Sequence, residues 1–263
     1  MGVAFDGANI WATNYNDNTV SELRAADGAV LGTYNVGQGP TGIAFDGVNM
    51  WVANNTDNTV TKLRASDGTP MGTFFLSGTS PMGVAFDGTN IWVANNGSNN
   101  VNQVKANGSV YAMYGVGAAP VGIAFDGANI WVANSGSNNV TELQASNGGL
   151  MGTYPVGTSP SSLAFDGSSI WVANTGSSNV TQLDDATGLT IGTFGVGLKP
   201  TAVASDGTNV WVVNQGNSTV TQLRQSDGKV MGTFKTGPAP DAIAFDGVNI
   251  WVANCNGGTL SKL

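Results

Sequence analysis

The chain of 263 residues contains no histidine, one cysteine and few charges: Lys, Arg, Asp and Glu together make up 10% of it. Without histidine there is no imidazole base, no Ser-His-Asp arrangement and no imidazole-bound transition metal. The lone cysteine, Cys255, precludes an intrachain disulfide. No basic residue adjoins it that would lower its pKa; the nearest is Lys262. Net charge is −8 with an isoelectric point near 4.2, which opposes phosphate backbones and anionic lipid surfaces, so no nucleic-acid partner is expected. No run is long and apolar enough for a transmembrane helix, no signal-like segment precedes the first repeat, and no direct membrane insertion is expected. Nor does any segment carry a helical period.

What the chain has is repetition. Trp11, Trp51, Trp92, Trp131, Trp171, Trp211 and Trp251 recur at steps of 40, 41, 39, 40, 40 and 40 residues. Each sits in nearly the same context: Ala-Phe-Asp-Gly, then aliphatic-Trp-Val-Ala-Asn, a polar loop, Val-Thr-x-Leu, a turn, Gly-Thr-aromatic, and Val-Gly-x-x-Pro. A period near 40 means stacked units that share one core. The whole chain, 1–263, is therefore read as one domain, with repeats starting near residues 1, 41, 82, 121, 161, 201 and 241.

The second repeat shows the pattern. Gly42–Phe45 is a short apolar strand closed by Asp46-Gly47, Asn49–Asn54 a second, Thr59–Arg64 a third and Met71–Phe75 a fourth. In the second strand Met50 and Val52 share one face, Trp51 and Ala53 the other. Asp-Gly between strand-like runs is a hairpin signal, with both turn residues expected to tolerate positive φ. Val60 and Leu63 are three apart where strict alternation wants two. A bulge, or a valine lying before the regular pairing, is the expectation there.

Four antiparallel strands per repeat cannot bury both faces alone, whereas a ring of them can. The fold class is all-β: a seven-bladed β-propeller with four-stranded antiparallel blades, the last lacking its outer strand because repeat seven ends at Thr259–Leu263. The Trp-Val-Ala-Asn strand ends with Val-Gly-x-x-Pro connectors resemble the YVTN/NHL-type propeller repeat, over the full chain. The virginiamycin B (streptogramin) lyases are similar propellers, in which a histidine and a bound magnesium are implicated; this chain has no histidine to match. Gluconolactonase-type propellers hold a divalent metal on carboxylates and amides of inner strands, but here the carboxylates follow the repeat. The resemblance thus implies a fold and no activity. No catalytic residue, metal or cofactor is assigned, and a metal-dependent lyase or lactonase is the least favoured alternative.

Three sets of repeated residues invite a role. Asp6, Asp46, Asp87, Asp126, Asp166, Asp206 and Asp246 are either a carboxylate ring or turn caps, and turn chemistry explains all seven. The tryptophans are expected to wedge between blades. Asn14, Asn54, Asn95, Asn134, Asn174, Asn214 and Asn254 close the second strand at the rim on which propellers commonly bind ligands, and are either ligand contacts or satisfiers of loop backbone. Tyr15, a loop aromatic, and Asp17 and Asp57, oxygen donors suited to a hard cation, complete the candidate ligand site. The reading is a non-catalytic binding or scaffold module for a protein or glycan on one propeller face, extracellular or on a bacterial or archaeal cell surface. The alternative is a structural subunit that self-associates through the unpaired edge at 259–263.

Overall fold

Each repeat folds as a four-stranded antiparallel meander, and the seven meanders stand around a common axis. The computed structural model describes residues 1–263. Blade one comprises β1 (Val3–Phe5), β2 (Asn9–Asn14), β3 (Thr19–Arg24) and β4 (Val30–Asn35); blade two comprises β5 (Pro40–Phe45), β6 (Asn49–Asn54), β7 (Thr59–Arg64) and β8 (Pro70–Phe75). Blades three to six run from β9 (Pro81–Phe86) to β24 (Val230–Lys235) in the same order. Blade seven has only β25 (Pro240–Phe245), β26 (Ile250–Asn254) and β27 (Thr259–Lys262). No helix is present, and so none is long and apolar enough to cross a membrane.

The hairpins follow from side-chain chemistry more than from backbone permissiveness. At the first turn of blade two only Gly47 has positive φ, 94°, a region costly for any residue with a Cβ. Asp46 does not share it, contrary to expectation. Its Oδ1 instead accepts the amides of Val48 at 2.9 Å and Asn49 at 2.6 Å and so fixes the turn. Asp67 does the same beside Gly68, accepting the amide of Thr69 at 3.0 Å.

The spacing of Val60 and Leu63 has a different cause from the one expected. β7 pairs with β6 in unbroken register from Thr59↔Asn54 to Arg64↔Asn49. The bulge lies on the outer strand instead, where Lys62 faces Gly72 but Leu63 faces Pro70. Val60 and Leu63 are an odd number apart because they serve opposite faces. Val60 packs with Trp51 and Ala53 against Ile91, Val93 and Val104 of blade three. Leu63 packs with Met50 and Val52 against Trp11 and Val20 of blade one. A middle blade of a ring is buried on both sides, so its third strand needs an apolar residue for each.

Each tryptophan is the wedge of one inter-blade layer. Trp11, Trp51, Trp92, Trp131, Trp171 and Trp211 stack on the outer-strand aromatics Tyr34, Phe74, Tyr114, Tyr154, Phe194 and Phe234 of their own blades, with ring centroids 5.5–6.0 Å apart. Three pairs are stacked at 25–28° and three are tilted at 30–37°, geometries compatible with aromatic quadrupoles. Trp251 has no such partner, because blade seven has no outer strand.

Candidate functional site

The two ends of the propeller treat their repeated polar residues differently. At the end of the first hairpins, each turn aspartate is consumed by its own blade. Oδ1 of Asp126 accepts the amides of Ala128 and Asn129 at 2.7 and 2.6 Å, and Oδ2 accepts the indole N–H of Trp131 at 2.6 Å. The indole bond recurs in all seven blades at 2.6–2.7 Å. The sequence reading found the turn caps but missed this latch. Its signal was visible, since every tryptophan follows its aspartate by five residues. Burial acts to raise the pKa of Asp46 and Asp206, but the donated indole and amide hydrogens outweigh it and hold both below the usual value. Asp246 obeys the same balance: burial raises, the Asn249 amide and Trp251 indole lower, and it settles at about 2.

At the opposite end lie the asparagines. Asn54, Asn95, Asn134, Asn174, Asn214 and Asn254 are 0–1% exposed, and Asn14 is half-buried. Their Nδ2 atoms donate into the third strand of the same blade, as Asn54 does to Thr59 and Thr61 Oγ1, both at 2.9 Å. Oδ1 of the six buried ones has no protein partner. The connector glycine lies directly over each amide: a Cβ on Gly37 would fall 2.6 Å from Asn54 Cγ. This close approach explains the glycine of every Val-Gly-x-x-Pro connector. The asparagines underlie the rim and do not form its surface.

The loops beside them do. Position 15 of the repeat is used structurally in most blades. Asn55, Asn96 and Thr175 each hydrogen-bond a carbonyl at the start of the next blade, those of Pro81, Pro120 and Pro200, at 2.6–3.2 Å, whereas Ser135 bonds Ala119 O in the connector into its own blade at 2.9 Å. Gln215 reaches Oδ1 of Asp241 in blade seven at 3.4 Å. Tyr15 makes no such bond and is 42% exposed, its ring beside Gly39. Two positions on, Asp57 accepts the amide of Gln38 at 2.6 Å, a connector cap that Ser98, Ser137, Ser177 and Asn217 reproduce in blades three to six. Asp17 is exposed and makes no protein hydrogen bond, so of the three it shares free surface only with Tyr15.

Inside this rim the inner strands enclose a cavity of about 270 Å³, to which each blade contributes three consecutive residues, such as Thr41–Ile43 and Ser161–Leu163. Its wall is neutral except for Asp241 and the Met1 ammonium, which pair at 2.7 Å. Cys255 lies near Asp241; burial first, and then that carboxylate, push its thiol up. No group of three or more His, Cys, Asp or Glu side chains converges anywhere.

Scanned against protein-family models and curated protein sequences, the chain matches none. Solved structures match its fold. A streptogramin B lyase superposes with a TM-score of 0.85 at 19% identity, covering 99% of this chain and 91% of the lyase. A chain of hydrazine synthase from Kuenenia stuttgartiensis gives 0.86 at 18%, covering 100% and 94%. A catalytically inactive virginiamycin B lyase from Staphylococcus aureus, solved with quinupristin, gives 0.84 at 19%, covering 99% and 93%. Proteins so unlike in their named chemistry share one ring of blades, and at this identity the likeness extends to the fold alone.

Proposed function

We propose that the chain is a rigid, non-catalytic binding module that meets a protein or glycan on the rim formed by the second-to-third-strand loops of blades one to three, centred on Tyr15. The observation that carries this reading is the idleness of Tyr15. Its counterparts in blades two, three, five and six tie one blade to the next and that of blade four ties its loop to the connector behind it, whereas Tyr15 is half exposed and makes no such bond. An aromatic with two side-chain torsions offers a large contact area at low entropic cost. Asp17 beside it gives the rim an acceptor, and the overall charge of −8 favours a neutral or basic ligand.

Elimination or hydrolysis is not proposed, because the groups that would do the work are absent or occupied. There is no histidine, and the repeated carboxylates each accept three donors. A lysine-poor surface rich in Asn, Thr, Ser and Gly fits a place outside the cytoplasm. Glycan and peptide arrays probed with wild type and Tyr15→Ala test the reading. Binding that drops at least tenfold in the variant supports it; ligands held equally by both variants, or none at all, contradict it.

A further inference from the structure

Blade six departs from the other blades in its charge and in one groove. The chain carries a net charge of −8, yet between residues 199 and 235 the basic Lys199, Arg224, Lys229 and Lys235 face only the acids Asp206 and Asp227. Both acids are occupied: Asp206 caps its turn and accepts the Trp211 indole, and Asp227 pairs with Arg224. The three lysines make no ion pair. A groove of about 350 Å³ opens between the connector Gly195–Gly197 and the face of blade six that carries Thr219, Thr221 and Thr233. A Cβ on Gly195 would meet no atom within 4 Å, so the groove is open on that side.

The free polar side chains along the groove are weighted toward donation. Thr219 and Thr221 Oγ1 accept from Asn214 Nδ2 at 3.2 and 2.9 Å, which leaves their own hydroxyl hydrogens to give away. Thr233 Oγ1 makes no protein hydrogen bond, whereas its blade-two counterpart, Thr73, is engaged with Thr61 at 3.0 Å. Asn217 spends its Oδ1 on the amide of Leu198, so its Nδ2 is free. The amide of Gly197 is unpaired too, while its counterparts Gly78 and Gly237 donate to Asn102 and Ser261. The unpaired Oδ1 of Asn214, an acceptor, lies beneath Gly197 and does not line the groove. No carboxylate lines it either. Strand register sets Lys235 opposite Thr219, and alternation puts it on the face of Thr233.

Blade two supplies the contrast. It has the same row of hydroxyls, Thr59, Thr61 and Thr73, but Asp57 stands where blade six has Asn217, and Phe75 where it has Lys235. In blades four and five Asn139 and Asn179 replace Thr219, and their Oδ1 atoms accept from Ser137 and Ser177. The hydroxyl row therefore belongs to the repeat, and its combination with a free amide and a lysine belongs to blade six.

We infer that this groove binds a sulfate or phosphate group carried on a sugar. Hydroxyl, amide and ammonium hydrogens all converge where a tetrahedral oxyanion can accept on every oxygen, and hydrogen bonds to a charged acceptor are the strong ones. A neutral sugar hydroxyl brings a donor of its own to side chains already weighted toward donation. The groove is larger than a bare oxyanion needs, and Val196 and Val230 wall the remainder, which suits a carbon skeleton. The acidic remainder of the chain does not forbid the site, because exposed charges beyond about 8 Å are largely screened at physiological ionic strength. The site is independent of the Tyr15 rim.

The test titrates glucose 6-sulfate, glucose 6-phosphate and unmodified glucose into the 263-residue chain and follows amide NMR shifts. At least one ester is expected to shift Gly197, Asn217, Thr219, Thr221 and Thr233 saturably and at least tenfold more tightly than glucose; the tighter ester identifies the oxyanion. Asn217→Asp keeps a carbonyl-like cap for Leu198, as Asp57 does for Gln38, and adds a negative charge; it should weaken binding tenfold or more. Lys235→Glu, an exposed change, should do the same, and Asp57→Asn should leave binding unaltered. Tyr15→Ala should also leave it unaltered, which separates failure of the rim from failure of the groove. Glucose bound as tightly as the esters, no saturable shift with any of the three, or ester binding that survives both blade-six variants would overturn the inference.

Discussion

Blades two and seven carry the same lysine over the same tryptophan, and the latch from aspartate to indole measures 2.6 Å in one and 2.7 Å in the other. Blade two adds β8 and with it Phe74, and everything around the tryptophan closes. Blade seven stops at β27, and the deficit appears on both sides: Gly28 and Leu23 of blade one are half-uncovered, and Phe234 of blade six is 38% exposed while its counterparts in the other blades are less so. The local unit of this fold is therefore the tryptophan with its aspartate. Closure between blades comes from the outer aromatic. The two are separable, and mutation can separate them.

The largest contrast lies at the wedge. Trp131→Ala removes a fully buried indole, its bond to Asp126 and its stack on Tyr154, and should cost about 3–5 kcal/mol. Trp251→Ala loses the wedge but no stack, and should cost about 1 kcal/mol less. Urea midpoints compare them directly; equal losses would mean that the outer aromatic contributes nothing. Asp126→Ala, which strands two amides and an indole N–H, should cost about 2 kcal/mol. That loss should exceed the cost of removing an exposed acid such as Asp17, and comparable values would rule out the latch.

Acid sharpens the same point. The folded pKa values of Asp46, Asp206 and Asp246 lie below the ordinary 3.8, that of Asp246 at about 2. A depressed folded pKa gives stability that is complete above the unfolded value and is lost as pH falls through the folded one. Stability should therefore drop between about pH 4 and pH 2, and Asp46→Asn with Asp246→Asn should flatten the drop. Alkali probes the outer strands with the opposite sign. Burial first, and then Glu22 and Glu142, push Tyr34 and Tyr154 up to about 12 from 10.0. Their contribution is whole below pH 10 and is lost as pH rises toward 12. Tyr34→Phe should remove its share, about 1 kcal/mol or less, seen as a smaller fall of the midpoint in alkali.

Most of the architecture was legible because its causes are periodic. Trp51 and Met50 declare their faces by alternation, and Asp46-Gly47 declares its turn. The misread residues were those whose role depends on a neighbouring blade. Val60 and Leu63 looked irregular only because one strand was considered alone, when each answers a different neighbour. The indole latch joins Asp46 to Trp51 across a hairpin, a pairing that strand alternation does not encode. Asn54 was visible as a rim residue, but its burial follows from Gly37 closing over it, a contact between segments. Tyr15 stood out as a loop aromatic; its idleness became visible only beside the bonds that Asn55, Asn96, Ser135 and Thr175 make to the connectors.

Hydrogen exchange followed by mass spectrometry tests the contrast between closed and open blades most directly, comparing amides of residues 51–54 and 59–64 with those of 251–254 and 259–262. If the outer strand and its aromatic close each blade, the blade-seven amides should exchange at least tenfold faster, equivalent to about 1.4 kcal/mol of local stability. Equal protection of the two sets would contradict it.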